Sequence, residues 1–102
     1  MMSPHQFAWD ENKRREVIDT RGIDILEAAL IFEGPVLTAI DDRMDYGEMR
    51  WRSIGMVDGE TYIVIHTERA GVTRIITAWK GSSRDQRRYQ ASIAARHPQN
   101  EG

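Results

Sequence analysis

Asp58-Gly59 stands between two strand-like runs and is a strong signal for a two-residue β-hairpin turn. Met49 to Val57, before it, mixes polar and apolar residues as a half-buried strand does. Thr61 to Thr67, after it, is rich in β-branched residues. Ala70-Gly71 marks a second turn, and Val72 to Lys80 reads as a third strand, so the centre of the chain is an antiparallel meander. If Ala70-Gly71 is a two-residue turn, Arg69 pairs with Val72 and Thr67 faces Arg74, while Thr67 also faces Arg50 across the first hairpin. Side chains alternate along a strand, so Arg50 and Arg52 share one face, and Arg74 and Lys80 share one with Ile76 and Ala78. In that register Arg50, Arg52, Arg74 and Lys80 gather on one face of the sheet. A one-residue change in the second turn sends Arg74 and Lys80 to the other face, and the sequence leaves both registers open.

The flanking segments complete an α+β chain. Phe7-Ala8-Trp9 is a short strand, Asp10 an N-cap, and Glu11 to Thr20 a polar surface helix that Gly22 ends. Asp24 to Glu27 has capping-box spacing before an apolar run. Leu26, Ala29 and Leu30 then recur at helical spacing until Gly34-Pro35 stops the helix. Val36 to Ile40 is a strand and Asp41 to Tyr46 an acidic loop. Ser82 starts a last helix reaching about Ala95, its cap supported by the Ser82–Asp85 spacing. The order is β-α-α-β-β-β-β-α. It predicts a mainly antiparallel four- to five-stranded sheet packed with two N-terminal helices and followed by a C-terminal helix. The 102 residues read as a single domain with an ordered core over about 7–96, flexible termini and a frayed tail from His97.

A hydrophobic fraction of 40% predicts a thin core, or one that a partner completes. The chain has no cysteine, so disulfides, thiolate catalysis and cysteine metal sites are excluded. His5, His66 and His97 lie far apart, and neither a metal site nor a cofactor is expected. There is no apolar run of membrane-spanning length and no signal-peptide core in Met1 to Asp10, so the expected location is the cytoplasm, with no membrane partner. The net charge of −2 conceals a separation: residues 24–48 sum to −6 and residues 66–96 to +5. Such polarity favours a polyanion on one side of a protein that is near neutral as a whole. Arg84, Arg87 and Arg88 share one face of the last helix, and arginines with a lysine at a strand–helix edge suit phosphate. Trp51, Trp79 or Tyr62 could stack on an unpaired base, although tryptophans on strands serve packing more often. His66 alternates with Tyr62 and Val64, the pattern of a satisfied core histidine. Ser82 and Ser83 read as caps rather than nucleophiles.

FAWDENKRRE, RGIDILEAALIFEGP, GEMRWRSIG and HTERAGVTRIITAWKGSSRDQRRY occur in this order over roughly residues 7–89. In this ordered set the chain resembles the BrnT family of type II toxins, small ribonucleases of the RelE-like fold. The resemblance implies a bacterial cytoplasmic toxin that cleaves RNA without a metal and so inhibits translation. It further implies a BrnA-like antitoxin that binds it in a hetero-oligomer and through which alone it meets operator DNA. Residue by residue, it points to Glu48, Arg50, Arg69, Arg74 and Lys80. Glu48, Arg50, Arg74 and Lys80 are the expected catalytic set, in which Glu48 or His66 is the base and the cations meet charge on the phosphate. Arg52, Arg69, Trp79, Arg84, Arg87 and Arg88 are the expected RNA contacts. The chain departs from the family pattern at Thr20-Arg21-Gly22, where Lys-His-Gly is usual, and at Thr77-Ala78-Trp79, where Ser-Ala-Arg is usual. Asp85-Gln86 likewise replaces an acid and a base early in the last helix. The alternative is a catalytically weak or inactive toxin-like module that acts mainly as antitoxin partner or co-repressor.

Overall fold

Both turns form with two left-handed central residues, Asp58 at φ 50° and Gly59 at 83°, Ala70 at 52° and Gly71 at 81°. That geometry matches the twist of the strands it joins. The computed structural model describes residues 6–96, so the expectations for the termini, His5 and the tail from His97 lie outside the described residues. The elements are β1 (Gln6–Trp9), α1 (Glu11–Arg21), α2 (Ile25–Ala28), a 3₁₀ helix (Ala29–Glu33), β2 (Leu37–Ile40), β3 (Trp51–Val57), β4 (Glu60–Arg69), β5 (Val72–Lys80) and α3 (Ser83–Arg96). All five strands join one sheet in the order β1-β5-β4-β3-β2. The meander β2-β3-β4-β5 is antiparallel, whereas β1 lies parallel to β5, with Ala8 opposite Arg74. The sheet is therefore mixed.

Local chemistry explains the helix starts. The Asp10 carboxylate accepts from the Asn12 N–H, and Gly22 closes α1 in the left-handed region. Asp24 caps α2 through the Leu26 N–H and also receives a two-pronged contact from Arg14, Nε at 2.8 Å and Nη2 at 2.7 Å. At α3 the capping box is reciprocal: Asp85 N–H donates to Ser82 Oγ at 3.1 Å and Ser82 N–H to Asp85 Oδ2 at 2.8 Å.

The second helix departs from its periodicity. Only Ile25–Ala28 is α-helical, and Ala29–Glu33 tightens to 3₁₀. Ile25, Ala28 and Ile31, three apart, turn inward, while Leu30 stays 43% exposed. Packing dictates this, because Ile31 presses on Gly55 of β3 so closely that a Cβ there would lie 2.6 Å from the Ile31 Cβ.

The sheet separates two apolar layers. Tyr62, Val64, Ile75 and Ala78 pack beneath Val17, Ile25, Ala28 and Ile31 of the N-terminal helical segment. On the opposite face Ile54, Ile63 and Ile65 meet Tyr89 of α3, with Ile76, Trp79 and Ile93 at the margin. Tyr89 also donates through its hydroxyl to the Pro35 carbonyl at 2.7 Å, fixing α3 to the start of β2.

Candidate nucleic-acid interface

The register at the second turn follows the two-residue expectation, with Arg69 opposite Val72 and Thr67 opposite Arg74. It then slips. His66 pairs with Ile75 but Ile65 pairs with Thr77, so Ile76 is the extra residue of a β-bulge. Beyond the bulge the faces of β5 exchange. Arg74, Thr77 and Trp79 lie opposite Thr67, Ile65 and Ile63 on the α3 side, and Lys80 lies opposite Tyr62 on the α1 side. The expectation that Arg74 and Lys80 share a face is thus corrected. Lys80 is also engaged elsewhere, 3.8 Å from Glu60. Arg52, opposite Ile65, keeps to the α3 side with Arg74.

At the turn end of this face opens a pocket of about 410 Å³, lined by Ala8, Glu48, Thr67, Arg69, Ala70, Val72 and Arg74. It brings together three of the residues expected from sequence, Glu48, Arg69 and Arg74. Arg50 joins them indirectly, its Nε 3.3 Å from Glu48 Oε2 and its guanidinium 4.0 Å from the centre of the Tyr46 ring. Among the described residues no carboxylate lies within ion-pair distance of Arg69 or Arg74, so their charge is open to an outside anion.

The loop 41–50 that presents Glu48 is tied down by Asp41. Its buried carboxylate accepts from Arg43 Nε at 2.7 Å, Arg43 Nη2 at 3.0 Å and the Tyr46 hydroxyl at 3.2 Å. These bonds, Arg43's first, hold the Asp41 carboxyl below its ordinary value. The loop also makes a contact that sequence reading missed: Arg43 reaches Trp79, its guanidinium carbon 5.4 Å from the ring centre. Arg21 approaches the same indole at 5.7 Å and donates from Nη1 to Thr77 Oγ1 at 2.8 Å and to the Ala78 carbonyl at 3.0 Å. Arg21 and Trp79, two of the positions at which the sequence departs from the pattern it resembles, are therefore neighbours in space. The signal for Arg21 was present as a departure, but nothing in the sequence showed that the C-terminal turn of α1 and the end of β5 meet.

His66 sits away from this face. It is 3% exposed, 2.8 Å from Ser53 Oγ through Nε2 and 2.8 Å from Glu68 Oε2 through Nδ1, and edge-on to Phe32. It is the core histidine that its alternation with Tyr62 and Val64 predicted. Arg84, Arg87 and Arg88 are exposed on α3 and do not line the pocket. Asp85, between them, is held below its ordinary value, first by the Ser82 N–H and further by the charges of Arg88 and Arg52. Trp51 lines a separate cavity of about 280 Å³ with Phe32 and His66 and so lies on the packing side.

Among the described residues no group of three or more histidine or acidic side chains is placed to hold a metal ion, and no helix is long and apolar enough to cross a membrane. A family model described as the ribonuclease toxin, BrnT, of type II toxin-antitoxin systems matches residues 9–85. No curated protein matches the chain.

Proposed function

The chain belongs to the BrnT family of type II ribonuclease toxins, and on that premise we propose that the pocket of Glu48, Arg69 and Arg74 is where it cleaves RNA. The observation that carries this reading is the meeting, in an open pocket, of one carboxylate with two guanidiniums that have no ion-pair partner among the described residues, with Arg50 against the carboxylate. Cleavage needs a base, an aligned nucleophile and a cradle for charge. The RNA 2′-hydroxyl attacks the adjacent phosphorus as Glu48 takes its proton. The bond from phosphorus to the 5′-oxygen breaks, leaving a cyclic phosphate, and the departing oxygen collects a proton from solvent. Arg74 and Arg69 meet the charge that grows on the non-bridging oxygens, and Arg50 orients Glu48. This is a metal-independent scheme. It omits Lys80, which lies across the sheet against Glu60.

In the bacterial cytoplasm such cleavage inhibits translation, and a BrnA-like antitoxin neutralises it and carries the complex to operator DNA. The fold of the described residues is consistent with a RelE-like architecture. One observation favours the second reading, a weak or inactive module: the pocket lining offers no histidine or lysine to protonate the leaving oxygen. Cleavage of a long RNA by the purified chain separates the two. We expect cleavage in the presence of chelator, with Arg74→Ala and Glu48→Gln each lowering the rate by roughly 100-fold at unchanged thermal stability. Equal rates for parent and both variants would remove the pocket from the mechanism.

A further inference from the structure

We infer that Arg21, Arg43 and Trp79 form a second RNA subsite, which holds a nucleotide a few positions along the strand from the one cleaved. The inference rests on the ribonuclease reading above. It is carried by the geometry at the end of β5. Trp79 is only partly buried, and two guanidiniums approach its ring at 5.4 and 5.7 Å. Each is fixed by partners that do not use up its donors. Arg21 spends Nη1 on Thr77 and the Ala78 carbonyl, and Arg43 spends Nε and Nη2 on Asp41. Among the described residues no carboxylate lies within ion-pair distance of Arg21. Preorganised planar cations lying over an aromatic ring suit single-stranded nucleic acid, with phosphate on their free N–H donors and a base stacked on an outer guanidinium plane or the open part of the ring.

Placement supports the same occupant. The bulge puts Trp79 on the face that carries Arg74, opposite Ile63 as Arg74 is opposite Thr67. Five residues of strand with one bulged separate them by about 15 Å, roughly two to four nucleotides from stacked to extended backbone. One loop serves both ends, since Glu48 lines the pocket and Arg43, earlier in the same loop, reaches Trp79. A strand anchored at Trp79 would thus be aligned for the pocket, which makes these residues positioning and length-selecting groups.

Binding of fluorescent single-stranded 2′-deoxy oligonucleotides tests this, because without the 2′-hydroxyl they bind and are not cut. For a dodecamer we expect Trp79→Leu and Arg21→Gln each to weaken binding about tenfold, Trp79→Phe to restore most of it, and Arg21→Gln to lower the salt slope by about one. For a dinucleotide, which cannot reach both places, both variants should match the parent while Arg74→Ala weakens binding. If the parent binds the dodecamer and both variants bind it equally well, the subsite is overturned and the ribonuclease reading stands. If Trp79→Leu weakens dinucleotide and dodecamer alike, Trp79 belongs to the pocket's own fold and the second subsite is overturned. A parent that binds neither oligonucleotide overturns both readings.

Discussion

Asp41 shows how much one side chain can organise. It is the one buried residue of the loop from Asp41 to Tyr46, and its three hydrogen bonds fix Arg43 and Tyr46. Read as sequence, 41–46 is a run of acids, and a run of acids is ordinarily a solvated surface. Its inward member could not be told from its neighbours, because Arg43 and Tyr46 become its partners only after the loop folds back. Asp24, Asp41 and Asp85 all have carboxyls held below their ordinary values, by Arg14, Arg43 and the Ser82 N–H respectively. Their contribution to stability is complete above the unfolded-state value of about 3.9 and is lost as pH falls through the lower folded values. Urea unfolding between neutral and acid pH should show this loss. Asp41→Asn should remove about 1 kcal/mol at neutral pH and flatten the acid limb, a modest figure because Arg43 is half exposed and screened. An unchanged acid limb would mean that Asp41 is not among the groups that set it.

At the scale of elements, turn chemistry and caps were legible and the bulge was not. The two hairpins, the three caps at Asp10, Asp24 and Ser82, and the limits of β5 follow from residue types that few other conformations accommodate. The slip at Ile76 left no such mark, since β5 is covered by apolar residues on both sides and Ile75 and Ile76 each find a core. A hydrophobic pattern specifies register only where one face is wet. That is why alternation alone sets Lys80 beside Arg74, and why it does not bring Arg21 near Trp79. The 3₁₀ helix was hidden for a related reason, because Leu30 and Ile31 are equally apolar and only the approach to Gly55 chooses between them. This close approach is testable by Gly55→Ala, whose new methyl would meet the Ile31 Cβ at 2.6 Å. Chemical denaturation should report a loss of about 1–3 kcal/mol, and a variant as stable as the parent would show that the 3₁₀ helix can move aside.

The molecule as a whole is closed by its earliest strand. β1 pairs with β5 alone, at the far edge from β2, and the pocket takes Ala8 from the first strand and Val72 and Arg74 from the last. More than sixty residues of chain separate those walls. A ribosome making this protein therefore decodes all of that intervening chain before the pocket's second wall exists, and β1 has no strand to lie against until Val72 to Ile75 have emerged. If RNA is cut in this pocket, as proposed, the growing polypeptide has no complete site until those residues have emerged, a delay written into strand order rather than supplied by an inhibitor. Stalled nascent chains make this visible. Gln6–Trp9 should be open to protease in every chain ending before Val72 and protected once Lys80 is clear of the exit tunnel; protection in a shorter chain would mean that β1 docks by another route.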